Sequence, residues 1–333
     1  MTNASRRLDR LENLRGFFSA YVVLHHYVFT IDAFAFARKF LYFGQLSVMV
    51  FFILSGFVIY YSSIGRDPKL NIKKYLKRRF RRVYPVFLIA LLMGWILKSI
   101  LDGHSADPEW SELLGNLLML QDKHPYAWFS PYLHNLSLWT LSYEIFFYLL
   151  FIPVVLIGKN RPNVEFGISV GVSVVGYISF WLLPNQISLF MSYFFLWWVG
   201  VEFCKEYLKH GTVTFQRQFR TIIVLAVLAF AWSYPMILAY IERGEIGRNQ
   251  FPFIQAQHFI LVFLLTVTSI GWHKFKFIGL DLLTGWAAKI APISYALYVF
   301  HLPIIYFALQ IQLTGSPWLD LLWVLPFMFG ISW

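Results

Sequence analysis

The chain has 333 residues, of which 58% are hydrophobic, 20% aromatic and only 14% charged, with a mean hydropathy of +0.59 and a formal net charge of +11. A soluble domain carries nearer ~25% charge, so the composition excludes an ordinary water-soluble enzyme. The positive residues sit in short loops between apolar runs, which membrane orientation explains and nucleic-acid binding does not. The single cysteine, Cys204, has no partner for an internal disulfide.

In chain order, the charged N-terminus MTNASRRLDRLENLR runs directly into an apolar stretch without small cleavage-site residues, so the first span is expected to be retained. Apolar runs then predict about ten spans, at 15–34, 44–64, 84–101, 138–158, 166–183, 187–204, 220–241, 253–272, 291–313 and 316–333. The expected fold is an all-α, polytopic transmembrane helical bundle. A cytoplasmic N-terminus puts 22 Lys and Arg inside against five outside (Arg38, Lys39, Lys123, Arg243 and Arg248), with Lys98 at the outer end of the third span. That bias predicts the orientation. In the longest outer segment, 102–137, the stretch WSELLGNLLMLQ is too short to span and is expected to lie in the interface or fold back over an outer cavity. Residues 275–290 read as an interfacial helix. With no repeat and no separate soluble domain, residues 1–333 are expected to form a single membrane domain.

His26 follows Arg15 by eleven residues. Eleven steps of ~100° end about 20° past three full turns, so both side chains share a helix face, about 16 Å apart. An ionisable group at mid-membrane depth is a candidate for function. His25 points about 100° away and reads as packing. The loop NIKKYLKRRFRRVYP concentrates Lys73, Lys74, Lys77, Arg78, Arg79, Arg81 and Arg82 before the third span. It reads either as a topology determinant or, because guanidinium forks grip phosphate oxygens, as a site for a phosphate-bearing ligand such as coenzyme A. Glu144 falls about 9 Å below the outer surface, as a buried ion pair or as a group that orients an imidazole or accepts a hydroxyl proton. His301 in ISYALYVFHLP reaches the same depth as His26. Ser55 and Gly56 let the second span approach a neighbour closely, with Phe51 and Phe52 beside them as packing or pocket wall. No histidine pair at i, i+4, HExxH, nucleophile elbow or nucleotide loop occurs, so no metal site is expected.

These pieces together resemble the acyltransferase 3 family of membrane O-acyltransferases, which includes polysaccharide and lipopolysaccharide O-acetylases. LENLRGFFSAYVVLHHY resembles the family's first helix, mapping its arginine and catalytic histidine onto Arg15 and His26. FFILSGF resembles the second helix, and RRFRRVYP the arginine motif, mapping onto Arg79 and Arg82. LWTLSYEIFFYLL resembles the tryptophan, serine and glutamate signature at Trp139, Ser142 and Glu144. ISYALYVFHLP resembles the late motif at Ser294, Tyr295, Tyr298 and His301. The resemblance covers nearly the whole chain. It implies an acyl-CoA-dependent acyltransferase of the bacterial inner membrane, with acetyl-CoA the default co-substrate, succinyl an alternative, and no permanently bound cofactor. The acceptor would be a hydroxyl of a carbohydrate or lipid-linked glycan.

His26 would be the catalytic base, with Glu144 orienting it or the acceptor. Arg15, Arg79, Arg82, Ser142, Tyr295 and His301 would bind substrate. Direct attack needs donors for an oxyanion, from Tyr295 or an arginine; an acyl-histidine intermediate is the competing route. Family members commonly end in a short polar tail, whereas this chain stops at Trp333, so its C-terminus is expected to be truncated. The rival readings are a proton-coupled secondary transporter or flippase and a non-catalytic scaffold. The oligomeric state is left open.

Overall fold

A long apolar segment with no water at hand must close its backbone hydrogen bonds internally, which leaves the helix as its outcome. The computed structural model describes residues 3–65, 69–159, 161–244, 251–311 and 315–332. Arg66, Arg248 and Trp333, used in the charge and terminus readings, lie outside the described residues, as do positions 312 and 313 of the ninth span. Along the described chain run α1 (Asn3–Thr30), α2 (Gly44–Ser63), α3 (Ile72–Asp102), α4 (Trp110–Leu117), α5 (Trp139–Gly158), α6 (Pro162–Leu182), α7 (Gln186–His210), α8 (Phe219–Arg243), α9 (Phe253–Lys274), α10 (Leu280–Thr284), α11 (Ser294–Ile311) and α12 (Pro317–Ser332).

Every predicted span falls on a helix, and eight of these helices are long and apolar enough to cross a bilayer. The other two are α1 and α12. The first predicted span, 15–34, is cut short because α1 ends at Thr30 and Ile31 turns extended before a 3-10 segment at Asp32–Lys39. The α12 helix has 16 residues, about 24 Å at the usual rise. The expected interfacial helix at 275–290 is broken into turns around the five-residue α10 and a 3-10 turn at Gly285–Lys289. Its apolar side chains Ile278, Leu282 and Leu283 stay exposed.

The chain divides into two compact units. Unit one comprises Met1–Ser47, Lys73–Ile145 and Leu280–Trp333. Here α1 packs on α11 and on the 285–289 turn, and Arg10 grips Asp281 with two hydrogen bonds of 2.8 and 2.6 Å. The segment between α3 and α5 folds back. α4 keeps Trp110, Leu114 and Leu118 exposed at four-residue spacing while Gly115 and Asn116 are buried. The Asn116 side chain then holds the returning segment, donating to the Ser130 carbonyl (2.8 Å) and accepting from the Tyr132 N–H (3.1 Å). A proline supplies the deeper anchor. Pro303 lacks the N–H that would pair with the Val299 carbonyl four residues earlier, and Asn135 Nδ2 donates to that carbonyl at 2.9 Å.

Unit two comprises Val48–Ile72 and Phe146–Gly279. Its axis is α7, whose most apolar window is 83% buried. Trp197 and Trp198 are fully enclosed, with Phe151 set edge-on to Trp197 at 5.9 Å. Buried charge in this unit is closed on itself. Lys205 lies 2.8 Å from Glu165 and 2.9 Å from Glu202, and Arg220 lies 3.2 Å from Glu202. The close approach expected at Gly56 is real: a Cβ there would strike the Trp197 carbonyl, and one on Gly200 would strike the Ile53 carbonyl. Both neighbours are backbone and have nowhere to move. Gly200→Leu is therefore expected to destabilise the protein by at least the ~1–3 kcal/mol typical of overpacking, seen as a lowered thermal unfolding midpoint in detergent. An unchanged midpoint would contradict this packing.

Candidate active site

All eight residues singled out for catalysis or substrate binding lie in unit one. They form two groups, one at each end of the Arg15–His26 face.

At the first end, Arg15 is fixed from three sides. Its Nε donates to Ser294 Oγ (3.0 Å), and Nη2 donates to Glu12 (2.8 Å) and to the Ala291 carbonyl (2.9 Å). Arg82, exposed, and Glu144, half-buried, both lie within electrostatic range of Arg15. Arg79 is buried, with its guanidinium 5.8 Å from the Tyr75 ring. Tyr295 donates its hydroxyl to the Val83 carbonyl at 3.0 Å, tying α11 to the arginine motif.

Glu144 is the main departure from the expected placement. The groups within its electrostatic range include Arg15, Tyr75, Tyr295 and Tyr298, so it belongs to the arginine end and not to the side beyond His26. The fold-back is the reason. α5 starts from a segment already drawn into unit one, with Thr140 Oγ1 2.9 Å from the Tyr298 hydroxyl, and each further turn carries it toward Arg15. Ser142 is buried, and its hydroxyl lies 2.6 Å from each of the Gln121 and Trp139 carbonyls. It braces the fold-back from behind the site.

At the second end the His26 ring sits 5.0 Å, centroid to centroid, from His301 and 5.0 Å from His25. His301 Nδ1 lies 2.7 Å from the Tyr298 carbonyl. A carbonyl only accepts, so Nδ1 carries the proton and the buried Nε2, which has no hydrogen-bond partner, keeps its lone pair. His25 is likewise turned by its Nδ1 toward the Leu41 carbonyl, consistent with a supporting place. Further along α11, a cavity of about 510 Å³ is lined by residues that include Gly94, Leu97, Asn135, Leu138, Pro303 and Phe307.

Sequence reasoning missed Lys123 and Asp122. Lys123 counts on sequence only as an outer-loop charge, yet it lies within electrostatic range of both His25 and His26. Its Nζ caps the Trp139 ring at 4.5 Å. Asp122 is buried, accepting from the Tyr143 hydroxyl at 2.9 Å and from the Lys123 N–H at 2.7 Å. Burial raises the Asp122 carboxyl to about 6 against those hydrogen bonds and the Lys123 charge. Desolvation lowers Lys123 to about 8 against the pull of Asp122. The Lys123 side chain is itself exposed. The clue in the sequence was the run Gln121-Asp122-Lys123-His124 following an apolar stretch too short to span. No cluster of three or more metal-ligating side chains occurs among the described residues.

The family model Acyl_transf_3, an acyltransferase domain, matches residues 8–333. A relative, the acyltransferase MdmB of Streptomyces mycarofaciens, is 33% identical over 116 residues, covering 32% of this chain and 27% of that protein. The match therefore spans about a quarter of the relative's length. No solved structure matches the chain.

The raised Asp122 carboxyl has a consequence for stability. Its folded value of about 6 lies above the ~3.9 of an unfolded chain, so between these values the folded state holds the extra proton and loses stability as pH rises. Asp122→Asn keeps an oxygen for Tyr143 and removes the titration. Its unfolding midpoint is expected to fall less steeply than that of the unsubstituted protein from pH 4 to about 6; parallel curves would contradict the assignment.

Proposed function

The chain belongs to the acyltransferase 3 family, and from that premise we propose that it transfers an acyl group, acetyl in the simplest case, from acyl-CoA to a hydroxyl of a carbohydrate or lipid-linked glycan. The observation that carries this reading is the His26–His301 pair, reached along one helix face from a fixed arginine.

The donor's phosphates meet Arg15, Arg82 and Arg79, whose guanidinium forks suit phosphate oxygens. Glu144, grouped with Arg15, positions these cations. The thioester then lies toward His26, about 16 Å along α1. His26 takes the proton of the acceptor hydroxyl as that oxygen attacks the thioester carbon, then returns it to the departing thiolate. His301, whose bare Nε2 can only accept, receives the N–H of His26 and turns its other nitrogen toward the hydroxyl, as the orienting partner does in other base-assisted sites. The cavity beyond His301 holds the acceptor. With the N-terminus in the cytoplasm of a bacterial inner membrane, the arginines face the compartment where acyl-CoA is made.

Purified protein given labelled acetyl-CoA is expected to release CoA. His26→Ala should reduce turnover by the ~10²–10⁴-fold typical of losing a general base, and retained turnover would refute the assignment. Arg82→Glu should raise KM for acyl-CoA more than it lowers kcat. An unchanged KM would remove Arg82 from the phosphate site.

A further inference from the structure

The cavity of about 510 Å³ between α3, α11 and the fold-back changes character along its length. Ala90, Leu91 and Leu138 line its deep end and are all buried. Two polar side chains in the wall already have partners. Asn135 donates to the Val299 carbonyl and accepts from the Ser137 hydroxyl, and Tyr132 donates its hydroxyl to the Pro108 carbonyl at 3.0 Å. The deep end is therefore an apolar space, and left empty it forfeits the dispersion contacts that an apolar group would restore. The mouth lies about 16 Å further along α3 at the usual rise, at Lys98, Leu101, Asp102 and Gln310. Lys98 Nζ is 3.1 Å from Asp102, so this charged pair makes the mouth polar without giving it a net charge.

The mouth is continuous with the apolar surface of the helices. Leu101 and Tyr306 line the cavity and remain 41% and 37% exposed, and the most apolar window of α3 is only 22% buried, so that helix turns most of its side chains to lipid. Halfway along the wall stands Gly94. Glycine weakens a helix interior, and in spans it usually permits a close helix approach, as Gly56 and Gly200 do here. Gly94 does neither. A Cβ built on it would meet only Leu133 Cδ1, at an ordinary 4.0 Å. What its missing side chain preserves is room in the cavity.

We propose that this cavity binds the alkyl chain of an amphiphilic acceptor with an uncharged polar head, and that Gly94 sets the size of chain it admits. The inference rests on the acyl-transfer reading above and narrows its acceptor to an amphiphile drawn from the bilayer. The volume and the mostly apolar wall with a few polar groups at one end are those of a small-molecule site. The paired mouth offers a phosphate head no net positive charge, whereas the hydroxyls of a sugar can bond to either partner of the pair or to Gln310. Pro303, two residues beyond His301, is part of the wall, so the chain is held against the helix that carries this histidine. A bulky side chain at position 94 would stand in the path of the chain without displacing any neighbouring backbone.

The test uses the full chain in phosphatidylcholine nanodiscs and a dodecyl glucoside carrying a diazirine at the end of its chain. Irradiation is expected to label Ala90, Leu91 and Leu138. Gly94→Phe should cut that label by roughly tenfold or more, and Gly94→Ala, whose Cβ fits, should keep it. Leu97→Phe, on the same wall, repeats the measurement if Gly94→Phe does not fold. Label confined to the outward-facing Leu92 and Ile96, or label at the deep end that survives both phenylalanines, overturns the proposal. With acetyl-CoA, the unsubstituted protein should release CoA with a lower KM for dodecyl glucoside than for octyl glucoside, and Gly94→Phe should narrow that gap. An unchanged gap means that partition into the bilayer alone sets the preference, and also overturns the proposal. Labelling does not depend on turnover, so label at the deep end without CoA release overturns the acyl-transfer reading and leaves the amphiphile site in place.

Discussion

The hydrogen bond from Asn135 to the Val299 carbonyl is the constraint on which the site depends. Pro303 creates the need for it by removing a helix N–H, and a buried carbonyl without a partner costs several kcal/mol away from water. Asn135 meets that need and draws the segment before α5 into unit one. Once it is there, Thr140 reaches Tyr298, Ser142 braces Gln121, and Lys123 reaches Trp139. The backbone turns sharply to allow this. Leu133 and His134 both adopt left-handed conformations, with φ of 47° and 60°, at about 1–3 kcal/mol each. The anchor on Val299 is what offsets that strain.

Much of this was legible in the sequence because it follows from periodicity. Runs of apolar residues located the long helices, eight of which among the described residues could cross a membrane, and the eleven-residue interval placed Arg15 and His26 on one face, which the contacts of Arg15 with Ser294 and of His26 with His301 agree with. Gly56 announced a close helix approach that the Trp197 carbonyl occupies. What sequence could not yield was depth after a fold-back. Counting residues from a presumed surface put Glu144 near the outer boundary, whereas α5 begins inside unit one and Glu144 falls in with Arg15. Lys123 was hidden for the same reason, since a charge in a connecting segment reads as loop until the segment's own path is known. Ser142 carried the right motif and a structural use, because its hydroxyl is taken up by backbone carbonyls.

The two units treat buried charge differently. In unit two, Glu165 and Glu202 share Lys205, and Arg220 adds a second cation to Glu202, so opposite charges balance at close range. Such a set holds helices in register and leaves little affinity for a ligand. In unit one the ionisable groups are unevenly matched. The His301 Nε2 keeps an unused lone pair, Arg82 is exposed, and Lys123 keeps accessible surface. Charge left unbalanced in this way remains available to a ligand, where that of unit two is not.

The cavity along α11 adds a constraint of inheritance. Asn135 and Leu138 form part of its wall, and the same short stretch carries the anchor on Val299 and the carbonyl that holds Gln121 beside Lys123. Descendants of this chain can therefore retune what fills the cavity through residues that only line it, such as Leu97, Gly94 or Phe307. Changing Asn135 would reshape the pocket and release the fold-back from α11 in one step. The side chains free to vary in the cavity thus sit on α3 and the far half of α11, while the fold-back between them stays fixed.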